Sequence, residues 1–442
     1  MTEEFIPYKE LQFTDYDWLP EVPKHWEKRS IRSLTRQSDK RNGNRLDLEL
    51  LSVYREFGVI KKASRDDNHN VESLDLSNYK YVGKGCLVMN KMKMWQGSLG
   101  VSNFEGIVSP AYIVCSFTID ANLRYFHYLL RSATFKTHYN RISYGIRVGQ
   151  WDMRYSDFKN LNLFIPPRPE QDQIVKFLDY KISRISKFIK AKKREIELFK
   201  EQIEFLCYNK SGDGKIVSNW ENAFELNWKR IKANHLFEEI NIKNCPDEEL
   251  LAVTQNKGVV FKKDCSQNYV SPAGSFDGLK LVQKGDFVIS LRSFQGGIEY
   301  SFCRGIVSPA YNVFHLKPRF DNDALRVFFR FLFKTKPFIE LLRSLGGGIR
   351  DGKNISFSDF SQFYMPIPPE EHLEKITILS RKIDILEKQN IQLFRLMDEF
   401  KASLISEVVT GKIDVRDVRI EDGFEPVMEE ETAMEEEISE EN

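Results

Sequence analysis

The chain has 442 residues, 41% hydrophobic and 29% charged, with a net charge of +1. That length allows two to four domains with ordinary cores. No apolar run is long enough to cross a bilayer, and the opening MTEEFIPYKE lacks the basic start and apolar centre of a secretory signal. The six cysteines (Cys86, Cys115, Cys207, Cys245, Cys265, Cys303) form no C-x-x-C pair and do not cluster with the histidines. They read as reduced thiols of a cytoplasmic protein and not as metal ligands. The near-zero charge hides an asymmetry. Residues 421–442 hold 11 acidic side chains and no basic one, leaving 65 basic against 53 acidic residues before them. A body with that excess is compatible with a polyanionic partner.

Residues 1–165 read as a mixed segment. Short apolar runs bounded by turn residues, CLVM at Cys86 and AYIVCSF at Ala111, predict strands, and LRYFHYLLRSATF at Leu123 predicts a helix packed on a sheet. A proline cluster, IPPRPEQDQI at Ile165, then opens a long helix within 166–212. Its apolar stripe is Leu178, Ile182, Ile185, Ile189, Ile196, Phe199, Ile203 and Leu206, with Lys192 in the one polar position. Residues 213–366 read as a second mixed segment, with strands at DFVIS and YNVFHL and a helix at ALRVFFRFLF. IPPEEHLEKI at Ile367 opens a second long helix within 367–416. Its stripe is Ile376, Leu379, Ile383, Leu386, Leu393, Met397, Phe400 and Leu404, with Asn390 polar. Gly212 and Gly411 stand where C-terminal caps are expected. Residues 417–442 form an acidic tail of disordered composition.

The two halves are copies. GIVSPAY occurs at Gly106–Tyr112 and again at Gly305–Tyr311, 199 positions apart. LLSVYREFGVI at Leu50 matches LLAVTQNKGVV at Leu250, GIRVG at Gly145 matches GIRDG at Gly348, and YSDF at Tyr155 matches FSDF at Phe357. Matches in constant order mark an internal duplication of about 200 residues. The heptad stripes predict that the two long helices pack on each other. If they run antiparallel with Lys192 and Asn390 at one level, the index sum is 582 and Ile174 lies near Val408. The expected fold is mixed α/β: two tandem globular domains and two long helices in an antiparallel coiled coil, an internal pseudo-two-fold repeat.

In composition and order these motifs resemble the specificity subunit of Type I restriction-modification systems, the HsdS family. The resemblance lies in PKHWEKRSIRSL, the paired GIVSPAY, GDFVISLRSFQGG, the two proline-led helix starts and LISEVVTGKIDV, and it spans about residues 18–416. It implies that 1–165 and 213–366 are target-recognition domains and that the helices are spacers setting the gap between two half-sites. It implies as partners double-stranded DNA, two methyltransferase subunits and, through them, motor-nuclease restriction subunits. The chain itself would have no catalytic residues and no cofactor. S-adenosylmethionine, ATP and magnesium would belong to the partner subunits. Helix packing would involve Leu178, Ile185, Lys192, Ile196, Ile383, Asn390 and Leu393.

Reading bases needs directed donors and acceptors. Lys91, Lys93, Trp95 and Gln96 lie in NKMKMWQGS, and Arg292, Ser293, Phe294 and Gln295 lie in the matching SLRSFQGG. Basic and aromatic residues beside glycine fit a groove-facing loop, or a solvated hairpin with its aromatic tucked beneath. Tyr144 and Arg147 in SYGIRVGQ, and Arg350 and Lys353 in GGGIRDGKN, fit phosphate contact or an ordinary surface turn. Tyr54, Arg55, Gln255 and Asn256 are weaker candidates. Ser109 and Ser308 read first as turn residues. Two other readings compete: a helical protein-interaction scaffold without DNA binding, and a nucleotide-dependent enzyme. The second would rest on Gly347–Asn354, where Asn354 stands in place of the Ser or Thr that a phosphate-binding loop needs.

Overall fold

The computed structural model describes residues 6–43, 45, 47–64, 75–145, 151–208, 220, 224, 228–255, 257–265, 276–345, 355–421 and 423–424. It divides into two units, Met1–Lys190 with Gln392–Asn442, and Ala191–Ile391. Each unit takes a stretch of both long helices.

The first unit is built on a four-stranded antiparallel sheet with the order Thr35–Ser38, Ile113–Phe117, Leu87–Met89, Leu99–Val101. Strand alternation sends successive side chains to opposite faces, and here both faces are covered. Leu87, Met89 and Cys115 join the main core with Tyr125, Phe126, Leu129 and Phe135 from the helices Leu123–Arg131 and Ala133–Ile142. Val88 and Val114 point the other way, into a valine-rich cluster with Leu51, Val53, Val59, Val82 and Val108. The predicted single helix at Leu123 breaks at Ser132, whose backbone is extended.

The second unit repeats the plan, with the order Phe237–Ile240, Asn312–Leu316, Phe287–Ile289, Glu299–Tyr300. Phe287, Ile289 and Phe314 meet Phe328, Phe329 and Leu332 on one face. Val288 and Val313 meet Leu251, Val259, Val282 and Val307 on the other. The duplicated heptapeptide is scaffold in both units. Gly106–Val108 pairs with Lys80–Val82, and Gly305–Val307 with Lys280–Val282. A side chain at Gly106 or Gly305 would stand 2.5 or 2.3 Å from the carbonyl oxygen of Glu49 or Glu249. Only glycine allows that approach. Ser109 and Ser308 close the following turn: each carbonyl accepts from the N–H of Tyr112 or Tyr311, and each hydroxyl accepts from the N–H of Ala111 or Ala310.

The long helices are Arg168–Cys207 and Glu370–Val409, 40 residues each, about 60 Å at 1.5 Å per residue. They run antiparallel. In the first unit Gln173 Nε2 donates to the carbonyls of Val415 and Val418, just past the end of the second helix, at 2.9 Å each. Ile174 and Val408 are fully buried in one core there. In the second unit Asn390 Nδ2 donates to the Lys192 carbonyl at 3.5 Å, the expected level. The Lys192 ammonium turns to Glu195 instead. One stripe position departs from the reading. Phe400 is exposed, and Lys401 takes the inward place between Met397 and Leu404. A helix of 3.6 residues per turn drifts against a seven-residue repeat, so the buried line steps by four there.

Gly411 ends the second helix as expected. Its φ is +77°, its N–H donates to the Val408 carbonyl, and the Lys412 N–H donates to Glu407. This is a Schellman cap. A Cβ at Gly411 would stand 2.2 Å from Pro23 Cδ. Gly411→Ala should cost about 2 kcal/mol or more, measured by chemical denaturation. Gly423→Ala, which also has positive φ but nothing within 4 Å, should cost less.

Candidate nucleic-acid interface

Lys91, Lys93, Trp95 and Gln96 of the first unit lie between the strands ending at Met89 and beginning at Leu99. The chain turns at once after the strand, with the Lys93 N–H donating to the Asn90 carbonyl at 3.0 Å. It then makes one short helical turn, Met94–Gln96, capped by left-handed Gly97. Met94 is fully buried and anchors the turn, while Met92 and Lys93 stand in water. Trp95 is half-buried against Trp151, ring centroids 5.0 Å apart, and its Nε1–H has no partner among the described residues. Tyr144 is brought alongside by a two-residue bridge to Asp152. Lys91 reaches Asp152 at 3.7 Å, and its carbonyl accepts from the Met153 N–H. Arg154 lies 5.2 Å from the Tyr144 ring centre. The structure thus gathers Lys91, Lys93, Trp95, Gln96 and Tyr144 on one surface, with Trp151 and Arg154, which the sequence did not single out.

The second unit carries the matching feature. The Ser293 N–H donates to the Ser290 carbonyl, and Ser293–Gly296 makes the helical turn. Arg292, Phe294 and Gln295 are exposed. Ser293 is not: it is 1% exposed, and its hydroxyl accepts from the Ser290 N–H, so it shapes the turn. Among the described residues neither Lys93 nor Arg292 has a carboxylate within ion-pair distance. Arg147, Arg350, Lys353 and Asn256 lie outside the described residues, as does Gly347–Asn354 apart from its sequence. The packing residues Leu178, Ile383 and Asn390 are buried, and Ile185, Lys192, Ile196 and Leu393 are half-buried.

A hairpin joins this surface in each unit, Leu51–Tyr54 with Gly58–Lys61 and Leu251–Thr254 with Gly258–Phe261. One cation ties hairpin to turn. Arg131 donates to the carbonyls of Tyr54, Arg55 and Glu56 at the hairpin tip and of Leu99 in the neighbouring strand. In the second unit Lys334 donates to the carbonyls of Gln255 and Gly296 and to Glu299. Sequence reading missed both struts. Each is a charge closing an apolar helical run, which looks like a solvated end, and only the fold turns it inward. Glu299 is 2% exposed. Burial pushes its carboxyl up to about 7, against the opposing pull of Lys334, while burial lowers the Lys334 ammonium.

Residues 23–198 match the model of the Type I restriction modification DNA specificity domain. The putative type I restriction enzyme MjaX specificity subunit of Methanocaldococcus jannaschii is 24% identical over 444 aligned positions, covering 92% of this chain and 98% of that protein. A chain from a structure described as the basis of complex assembly and conformational transition of the type I R-M system shares the fold. Its TM-score is 0.54 at 12% identity, over 89% of this chain and 99% of that one. The HsdS subunit from Thermoanaerobacter tengcongensis matches at 13% identity over 91% and 100%, with a TM-score of 0.43. The matched domain and the duplicated fold define the class as Type I restriction-modification specificity subunits. Over residues 23–198 the chain carries the specificity domain, and over nearly its whole length it is similar to a type I specificity subunit. No helix among the described residues is long and apolar enough to cross a membrane.

A carboxyl with a raised folded pKa holds its proton more tightly in the folded state, so stability falls as pH rises through the window between its unfolded and folded values. For Glu299 that window runs from about 4.5 to about 7. Glu299→Gln should flatten this region of the pH–stability profile, measured by urea denaturation at closely spaced pH values.

Proposed function

We propose that the chain gives a Type I restriction-modification complex its DNA target. Each unit reads one half-site of double-stranded DNA through the turn after its central strand and the adjoining hairpin. The observation that carries this is a surface built twice on one scaffold and dressed differently. The GIVSPAY strand and turn are the same in both units, while the reading turn carries Lys91, Met92, Lys93 and Trp95 in one and Leu291, Arg292 and Phe294 in the other, with Gln96 and Gln295 common to both. Two like frames with unlike side chains suit a bipartite, asymmetric site. Residues 1–165 and 213–366 serve as the target-recognition domains, and the helices of 166–212 and 367–416 as the spacer between half-sites. The acidic segment 417–442 starts on the first unit, where Val418 and Ile420 pack against the core and Phe424 meets Tyr180, and most of it lies outside the described residues.

The helices also bind two methyltransferase subunits, through which restriction subunits join. S-adenosylmethionine, ATP and magnesium belong to those partners, and this chain holds none of them. Large apolar side chains left in water on the helices support this: Phe188, Leu396 and Phe400 in the first unit, and Leu198, Phe205, Ile378, Ile385 and Ile391 in the second. Exposed apolar area of that kind marks an interaction surface.

Mapping N6-methyladenine in the native host, with and without this gene, tests the reading: one split, asymmetric motif should lose methylation. Arg292→Ala should relax recognition in one half of that motif only, at a cost of about 1–3 kcal/mol, read from binding to a panel of single-base variants. Ile391→Glu, at a position 72% exposed, should abolish co-purification with the methyltransferase and leave the circular dichroism spectrum unchanged.

A further inference from the structure

We infer that Met92 and Leu291 enter the DNA base stack as apolar wedges, one in each half-site; this rests on the DNA-reading function proposed above. Both residues sit at a corner of the same turn. The turn closes by Lys93 N–H to Asn90 in the first unit, at 3.0 Å, and by Ser293 N–H to Ser290 in the second, at 3.1 Å. Each turn follows directly on the matching strand, Leu87–Met89 or Phe287–Ile289. The strand registers either side, Val88 with Gly100 and Val288 with Glu299, show that the second loop is shorter by one residue. The two corner positions are therefore Lys91–Met92 in one unit and Leu291–Arg292 in the other. Each turn carries one cation and one large apolar side chain, in opposite order.

Met92 is 62% exposed and Leu291 46%. Neither is spent on the fold, because the residues that fasten the turn inward are Met94 and Ser293. A single exposed apolar residue is ordinary. Recurrence in the same turn of both copies, at one corner or the other, beside exposed Tyr144 in one and Phe294 in the other, points to a ligand. A thioether or an isobutyl group has nothing to offer a phosphate. Methionine and leucine have the reach and shape to slip between stacked bases and separate them. The steps that unstack most readily are pyrimidine–purine steps, so each half-site holds one under the turn.

The test uses the full chain assembled with its methyltransferase subunits. The probes are duplexes carrying the motif from the methylation map, with 2-aminopurine placed at each position in turn. Fluorescence should rise at one step per half-site other than the methylated adenine. Met92→Ala should abolish the rise in one half-site only and Leu291→Ala in the other, each with about tenfold loss of specific affinity and an unchanged salt dependence. Met92→Leu and Leu291→Met should restore both signals. Alanine variants that keep the rise and the affinity overturn the inference. So does an affinity loss reproduced by thymine-to-uracil substitution with no rise, which would make these residues methyl-group readers. If the wild-type complex does not bind the mapped duplex, the DNA-reading function falls, and the wedges with it.

Discussion

The first unit depends on burying the far end of the second long helix. Leu404, Val408 and Val409 lie in the same core as Tyr125, Phe126 and Leu129. The Tyr125 hydroxyl donates to the Val409 carbonyl, and the Thr134 and Ser406 hydroxyls are 2.6 Å apart. Beyond the helix, the Asp414 N–H donates to the Ile6 carbonyl. The Gly411 cap aims the chain into this contact. Without the helix end, a set of large aromatic side chains would face water at a cost of roughly 25 cal/mol for each square ångström exposed.

Upon this core stands the sheet, and on the sheet the reading surface. Because both faces of the central strands are buried, the strand ends are fixed in height and twist. The turns after Met89 and Ile289 inherit that position. Arg131 and Lys334 then fix the hairpin tips against those turns. A recognition surface must be mobile in evolution and rigid in space, and this construction separates the two demands. Backbone carbonyls take the struts, so the side chains at the tip are free to differ.

Much of this is legible in the residues because it is local. Periodicity gives both helices and the Lys192–Asn390 level, glycine gives the cap, and the repeated heptapeptide gives the duplication. What escapes depends on partners far along the chain. Nothing near Arg131 announces that its guanidinium will bind carbonyls at Tyr54 and Glu56, more than 70 positions earlier. Glu299 sits in an ordinary strand sequence and is acidic without being exposed. Trp95 and Trp151 meet only because the bridge between Tyr144 and Asp152 folds the chain back. Phe400 departs for a different reason: it keeps the heptad count, but the helix drifts against that count.

The way the chain is divided has a consequence for its birth. The second unit is one continuous stretch, Ala191–Ile391, set inside a first unit made from the two chain ends. During synthesis the inserted unit leaves the ribosome complete, while the earlier-made sheet still waits for the helix end near Val409. The half translated first is therefore the half that can finish folding last. Its open core must be kept from wrong partners through the translation of some two hundred residues, the interval in which a nascent chain is most exposed to misassembly.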